Sequence, residues 1–421
     1  MAGGSWSGPV GSAEHRPRPP VALYLHVPFC RSICPYCDFV VVAGRAATGP
    51  ANRVAAFTEA LVAEIGLRAD ALDARFGVPP RRPPLESVYL GGGTPSLLPG
   101  DAAARVLELV RRRFGLAPDA EITIEVNPGP GDRGDLAGFR RAGVNRVSIG
   151  AQSLRPAELR RLGRRHRPAD IAETVALARA AGYKSVSLDL LYDVPGQTKS
   201  SWRLTLDAAL RLEPDHLSLY ALTLDDPDAE GLTGPIGDHL PLRAGARRWR
   251  RGARAGQDED RAATMYEQAD ARLAAARFTW YEISNWSRTG HESRHNLAYW
   301  RRQPYEAAGP GAHAFDGVVR RWNAAGLGAY IDALSPGDGQ RPRLPPGGRE
   351  RLDRSTAAFE RVALALRTAD GVPLASATEP PLSGALAWAI DAGILEVRPP
   401  RICLTSRGRL VSNELFARLI T

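Results

Sequence analysis

Short apolar runs alternate with helix-like stretches from about residue 21 to residue 225, and this alternation limits the fold more than any other feature of the chain. The runs fall at 22–27, 87–90, 122–126, 146–149, 185–190 and 216–220. Helical spacing of apolar residues fills 53–67, 102–114, 136–142, 169–181 and 201–212. A strand followed by a helix every roughly 20–40 residues predicts β/α units and a parallel sheet. About six such units predict a barrel-like α/β sheet that stops short of eight repeats. Functional groups in such folds gather at the C-terminal ends of the strands.

Three of the four cysteines lie just past the first run, in Tyr24-Leu-His-Val-Pro-Phe-Cys30-Arg-Ser-Ile-Cys34-Pro-Tyr-Cys37. That spacing is no secreted disulfide framework; three thiols so close predict a metal centre in a reducing, cytoplasmic setting. Three thiolates can hold three irons of a [4Fe–4S] cubane and leave the fourth open to a small molecule such as S-adenosylmethionine. A structural zinc site is the competing reading. Zinc wants a fourth Cys or His, usually in a second pair, whereas Cys403 stands alone.

Polar residues follow the other runs. The second leads into Gly91-Gly92-Gly93-Thr94-Pro95, where missing side chains let backbone approach a ligand. The third ends in Glu125-Val-Asn127-Pro128, the fourth in Gly150-Ala-Gln152-Ser153, and the fifth carries Asp189. Glu125 or Asp189 suits ribose hydroxyls, Gln152 the same ligand, and Arg164 a carboxylate held through two N–H groups.

The chain carries 55 Lys+Arg against 46 Asp+Glu, a net charge of +9. No helix-turn-helix, zinc-finger or RNA-binding signature accompanies that charge, so nucleic acid is not the expected partner. No window has the roughly 18 uninterrupted apolar residues of a membrane helix. Residues 1–20 are expected to be a disordered leader, and 226–260 a solvated insertion with a basic run at 247–254. Residues 261–348 read as mostly helical with short strands, and 349–421 as a small α+β domain.

These motifs together resemble the oxygen-independent coproporphyrinogen III oxidase family of radical S-adenosylmethionine enzymes, and within it the HemW branch. The resemblance runs from about residue 21 to the end. It implies a partial (β/α)6 TIM-like barrel with a C-terminal winged-helix-like domain. It implies S-adenosylmethionine contacts at Tyr24, Tyr36, Gly92, Gly93, Thr94, Glu125, Gln152, Arg164 and Asp189, with the cluster on Cys30, Cys34 and Cys37. Two details point to the branch. The oxidases resemble C-x3-C-x2-C-x-C, and Phe39 stands here in the place of the fourth cysteine. The hexapeptide His295-Asn296-Leu-Ala-Tyr299-Trp300 and the stretch Gly309-Pro-Gly-Ala-His313 are HemW-like. A neutral imidazole suits haem iron, which makes His295 the expected ligand and His313 the second choice.

The function so implied is that of a haem chaperone using the cluster and S-adenosylmethionine, with a haem acceptor, a membrane respiratory enzyme in this family, as partner and a homodimer as the assembly. Coproporphyrinogen III dehydrogenase is the enzymatic alternative. Asp193 and Ala314 depart from the family pattern, Gly and Ser being common there, and Asp193 brings an extra charge to the barrel mouth.

Overall fold

Along each apolar run successive side chains point to opposite faces, so one strand serves two environments. Leu23, Leu25 and Val27 pack outward into the main core, while Tyr24 and His26 between them face the inside of the sheet. The computed structural model describes residues 16–335, 337, 339–377 and 382–420. Six parallel strands stand in chain order: β1 (Ala22–Val27), β2 (Leu85–Gly92), β3 (Leu116–Val126), β4 (Arg146–Gln152), β5 (Ser185–Tyr192) and β6 (His216–Ala221). Between them run α1 (Val54–Phe76), α2 (Gly100–Phe114), α3 (Leu136–Ala142), α4 (Pro156–Arg161), α5 (Pro168–Ala180) and α6 (Lys199–Leu210). Their apolar faces cover the outside of the sheet through Phe57, Leu61, Ile65, Val106, Phe139, Ile171 and Trp202. The six-unit α/β reading is therefore the observed fold.

The sheet is longer than those six strands. Residues 261–348, read as mostly helical, contribute strands β7 (Thr279–Glu282), β8 (Asn285–Ser287), β9 (Tyr305–Ala308), β10 (His313–Phe315) and β11 (Val319–Asn323), and β12 (Gly347–Arg351) follows. The twelve strands run β12-β11-β10-β9-β1-β2-β3-β4-β5-β6-β8-β7. β9 pairs parallel with β1, Tyr24 opposite Ala307, so a late segment of the chain flanks the first strand. These strands are three to five residues long, too short for an alternation to stand out against helical spacing.

Glu64 on α1 holds this extension in place. Its carboxylate is fully buried and accepts from the Gly309 amide at 2.8 Å, Asn323 Nδ2 at 2.8 Å, the Tyr330 hydroxyl at 2.8 Å and Arg68 Nη2 at 3.1 Å. One acid thus ties α1 to the turn after β9, to β11 and to α10 (Leu327–Leu334).

Two further expectations change. Residues 1–15 of the expected leader lie outside the described part, but 16–20 are placed, with the Arg18 amide donating to Asp316 O at 2.8 Å and Pro20 buried. The basic run 247–254 is helical rather than a linker; Arg247, Arg248, Arg251 and Arg254 are exposed as expected, and Arg250 alone of its arginines turns inward. The run lies in α7 (Ala244–Arg254), where Arg250 is 4% exposed and donates to the carbonyls of Pro35 at 3.2 Å, Tyr36 at 2.9 Å and Asp225. Those carbonyls belong to the cysteine loop and the chain after β6, so the basic helix braces the site.

The C-terminal part follows α8 (Glu259–Ala275), α9 (Arg294–Trp300) and α10. It holds α11 (Arg354–Leu366), β13 (Val372–Pro373), a short 3-10 turn, α12 (Ser383–Asp391), β14 (Leu395–Arg398) and β15 (Arg401–Leu404). This helix–strand–helix–strand–strand order, with β15 between its two neighbours, has the winged-helix character expected. Its separate core is built on Val362, Leu366, Leu386 and Leu415. Glu360 of α11 receives Arg302 Nε at 3.1 Å and also Arg320, which docks the domain on the sheet.

Replacing Glu64 by Ala strands three buried donors and the Arg68 charge, and should lower unfolding stability by about 3–5 kcal/mol. Urea unfolding by circular dichroism checks this; a midpoint within error of the parent at unchanged slope would contradict it.

Candidate cluster and nucleotide site

The strand register brings the polar residues of separate runs together. Tyr24 stands opposite Tyr89, Glu125 opposite Ser148, and Asp189 opposite Ser218 across neighbouring strands. All face the inside of the curved sheet.

The glycine run does something different from what its composition suggests. The Gly93 amide donates to Val27 O at 2.9 Å and the Thr94 amide to Phe29 O at 2.7 Å. A Cβ on Gly93 would lie 2.7 Å from Phe29 O, and one on Gly92, whose φ is +109°, 2.4 Å from the His26 ring. These glycines first let the end of β2 press against the strand carrying the cysteines, and only then form an open bed for a ligand.

That contact sets up a closed circuit of hydrogen bonds around the thiols. Asn127 Nδ2 donates to Thr94 Oγ1 at 2.7 Å, which leaves the Thr94 proton for Cys30 Sγ at 3.4 Å. Arg164 Nη2 donates to Asn127 Oδ1 and to Gly150 O at 2.8 Å, and its Nη1 reaches Cys34 Sγ at 3.6 Å. Cys30 and Cys34 are thereby joined through Thr94, Asn127 and Arg164. Asn127 had been passed over in the sequence, where it reads as an ordinary strand-end residue. Its place two residues after Glu125, hence on the same side of the strand, was the available signal.

Burial raises the Cys30 thiol to about 11, with the Thr94 hydrogen bond opposing and Cys34 adding to it. Burial raises Cys37 further, helped by Cys34 and Cys30. Removing the protons of Cys30 and Cys37 therefore calls for positive charge among the sulfurs, which a bound iron–sulfur cluster would bring. Among the described residues no three Cys, His, Asp or Glu side chains close on a point that a single metal ion could occupy. Three thiols within eight residues are a donor set that three irons of a [4Fe–4S] cluster would take.

Farther in, Glu125 Oε1 accepts from the Tyr89 hydroxyl at 2.9 Å and Oε2 from the Gly92 amide at 2.9 Å. Asp189 accepts from Ser148 Oγ with both oxygens at 3.0 Å. Burial, then the Asp189 charge, pushes the Glu125 carboxyl from its ordinary 4.5 up to about 7. Burial also raises Asp189, against its serine hydrogen bonds. Two half-buried carboxylates that feel each other's charge form a bed for hydroxyl donors or for a cation. Tyr24 hydrogen-bonds His26 Nδ1 at 3.0 Å, and Tyr36 packs beside Trp249 with ring centroids 6.4 Å apart. Gln152 closes β4 with φ at +62°, an uncommon conformation for a residue with a side chain. Arg164 is not free to grip a carboxylate with two N–H groups, since Nη1 and Nη2 are engaged; its Nε is buried without a partner. The Asp193 charge is cancelled by Arg261, which donates through Nε at 3.0 Å.

His295 packs beside this site, its ring centroid 5.1 Å from that of Tyr89 and 6.4 Å from that of Tyr24. It is 1% exposed, with Nδ1 2.9 Å from the Ser87 hydroxyl and Nε2 2.8 Å from the Tyr299 hydroxyl. Both ring nitrogens are engaged, so in this structure neither is presented to iron, contrary to the expectation from the hexapeptide.

Residues 24–209 match the model of the Radical SAM superfamily and residues 352–411 that of the HemN C-terminal domain. The chain is 40% identical over 404 residues to a Mycobacterium tuberculosis protein named heme chaperone HemW, covering 96% of each. It is 35% identical over 295 residues to the Escherichia coli protein of that name, covering 70% of each. A Bos taurus protein named radical S-adenosyl methionine domain-containing protein 1, mitochondrial, is 37% identical, with 83% of this chain and 74% of that protein covered. Among solved structures, coproporphyrinogen III oxidase (HemN) from Escherichia coli superposes with a TM-score of 0.74 over 100% of this chain and 93% of that one, at 22% identity.

Between pH 4.5 and 7 the folded chain keeps a proton on Glu125 that the unfolded chain has lost, so this group makes stability fall as pH rises through that window. Glu125→Gln, which cannot ionise, should gain on the parent by up to about 1.4 kcal/mol per pH unit there. Thermal melts from pH 4.5 to 8 check it; a difference between the two proteins that stays constant with pH would refute it.

Proposed function

We propose, from the premise that this chain belongs to the HemW family of radical S-adenosylmethionine proteins, that it binds haem as cargo and passes it to an acceptor protein. The observation that carries this reading is Phe39. In the position where the oxidases resemble a fourth cysteine, the chain has a phenyl ring that is 62% exposed and lines a cavity beside the cysteine loop. A thiol there would serve chemistry or a metal; an exposed aromatic face serves a flat apolar ligand. The relatives' names agree with that choice, and the superposition on the oxidase accounts for the shared fold.

A [4Fe–4S] cluster on Cys30, Cys34 and Cys37 would leave one iron to the amino and carboxylate groups of S-adenosylmethionine and would supply it with an electron. The protein's own part is positional. Arg164, Asn127 and Thr94 fix two of the thiols by hydrogen bonds. Gly92, Gly93, Tyr36 and Gln152 would hold the nucleotide's amino-acid end, with the unpartnered Arg164 Nε as a donor for its carboxylate. Glu125 or Asp189 would accept from the ribose hydroxyls, with Tyr24 nearby. A sulfonium cation beside Glu125 favours its ionised form, so nucleotide binding tightens as pH rises through 7.

The full-length protein, reconstituted without air, should bind haem saturably with a shifted Soret band and leave coproporphyrinogen III unchanged. Cys30→Ser should lose the iron–sulfur absorbance. Formation of protoporphyrinogen IX, or the absence of any haem-dependent spectral change, would overturn the chaperone reading.

A further inference from the structure

Beside β1 and β9 lies a cavity that shares only Tyr24 with the residues expected at the nucleotide. Its volume is about 400 Å³, within the roughly 300–1,000 Å³ typical of small-molecule sites. Tyr299, Tyr305, Phe315 and Phe39 supply aromatic faces, Arg302 and Arg320 supply charge, and Asp238 and His239 close it from the segment after β6.

Three of the four histidines that bear on the question are spoken for. His295 has both nitrogens bonded, as described. His26 has Nδ1 on the Tyr24 hydroxyl and Nε2 at 2.7 Å from Val40 O. His313 has Nε2 on Asp238 at 2.8 Å, leaving only Nδ1, which sits beside its own Cβ where a macrocycle would collide. His239 has the opposite arrangement. Its Nδ1 lies 3.0 Å from Asp238 Oδ1, which places the proton there and leaves the Nε2 lone pair without a protein partner among the described residues, on a side chain that lines the cavity. A carboxylate behind the distal nitrogen is the usual support of a metal-bound histidine: it fixes the tautomer and makes the other nitrogen more basic.

The loop carrying His239 is held from behind. The His239 amide donates to Leu232 O at 3.2 Å, the Ala325 amide to Gly237 O at 2.8 Å, and Trp322 Nε1 to Ile236 O at 3.1 Å. A second, independent observation points to an anionic ligand. Arg302 is 7% exposed and lines the cavity; its Nε is on Glu360, but its Nη2 is buried with no partner. A buried guanidinium N–H without an acceptor is costly unless a ligand supplies one.

We propose that this cavity is the haem site, with His239 Nε2 as the iron ligand, Arg302 as the partner of a propionate, and the aromatic side chains against the macrocycle. The assignment rests on the haem-chaperone reading and moves its ligand from His295 to a residue in the segment that sequence had marked as an insertion. Only a coordinate bond forms; no electron or proton needs another source.

The test uses the full-length protein with three probes: ferric haem, metal-free protoporphyrin IX and haem dimethyl ester. His239→Ala should weaken haem at least about tenfold, the cost of losing one charge-assisted contact, and remove the histidine-ligated ferric spectrum. It should leave binding of protoporphyrin IX, which has no iron, unchanged. His239→Met should restore affinity with an altered Soret position. The dimethyl ester, unable to meet Arg302, should bind the parent at least about tenfold more weakly than haem. Parent-like haem spectra and affinity in His239→Ala, or loss of the histidine spectrum in a folded His295→Ala instead, would overturn the assignment and leave the chaperone reading standing. A parent protein that binds none of the three probes would remove both.

Discussion

The backbone contact between Gly93-Thr94 and Val27–Phe29 is what the site depends on. Two amide hydrogen bonds and the absence of two side chains bring the end of the second strand within touching distance of the cysteine loop. With that approach in place, Thr94 reaches Cys30, Asn127 reaches Thr94, and Arg164 reaches both Asn127 and Cys34. Each link is an ordinary hydrogen bond, and none would form if the two backbones stood one side chain further apart. The thiols are therefore positioned by a circuit drawn from several β/α units, and the loop itself does little of the work.

A brace from outside the six units completes this arrangement. Arg250 of the basic helix donates to three backbone carbonyls, two of them between Cys34 and Cys37. Lone carbonyls in a loop need donors, and an arginine fork can serve several at once. The same segment then supplies Asp238 and His239 to the neighbouring cavity. A stretch that looks like linker by composition thus reaches both the cysteine loop and the cavity beside β1 and β9. Glu64 and Glu360 act similarly at larger scale, the first holding the added strands to the sheet and the second holding the C-terminal domain to them.

Haem and a nucleotide would make different demands on a pocket, and two differently lined regions lie side by side here, with Tyr24 bordering both. The nucleotide side carries paired carboxylates and an arginine already engaged in hydrogen bonds. The cavity side carries aromatic rings, a buried arginine with a vacant donor and a carboxylate-backed histidine. Phe39 and His26 lie where the two sides meet.

Sequence by itself determined the six parallel strands, the three thiols at the end of the first and the identity of most inward-facing residues, because strand periodicity and motif spacing are local properties. Glu125, Gln152 and Asp189 could be placed at one mouth from their positions at the ends of successive runs alone. Which side chains touch was decided only by the tertiary structure. The glycines are needed against protein backbone, Asn127 joins Thr94 to Arg164, and Arg250 turns inward. His295 stands in the most telling motif yet is sealed by Ser87 and Tyr299, while His239, in no motif, keeps a free nitrogen. Burial and hydrogen-bond partnership depend on residues far apart in the chain, 208 positions for Ser87 and His295 and 266 for Glu64 and Tyr330, and no window of sequence contains that information.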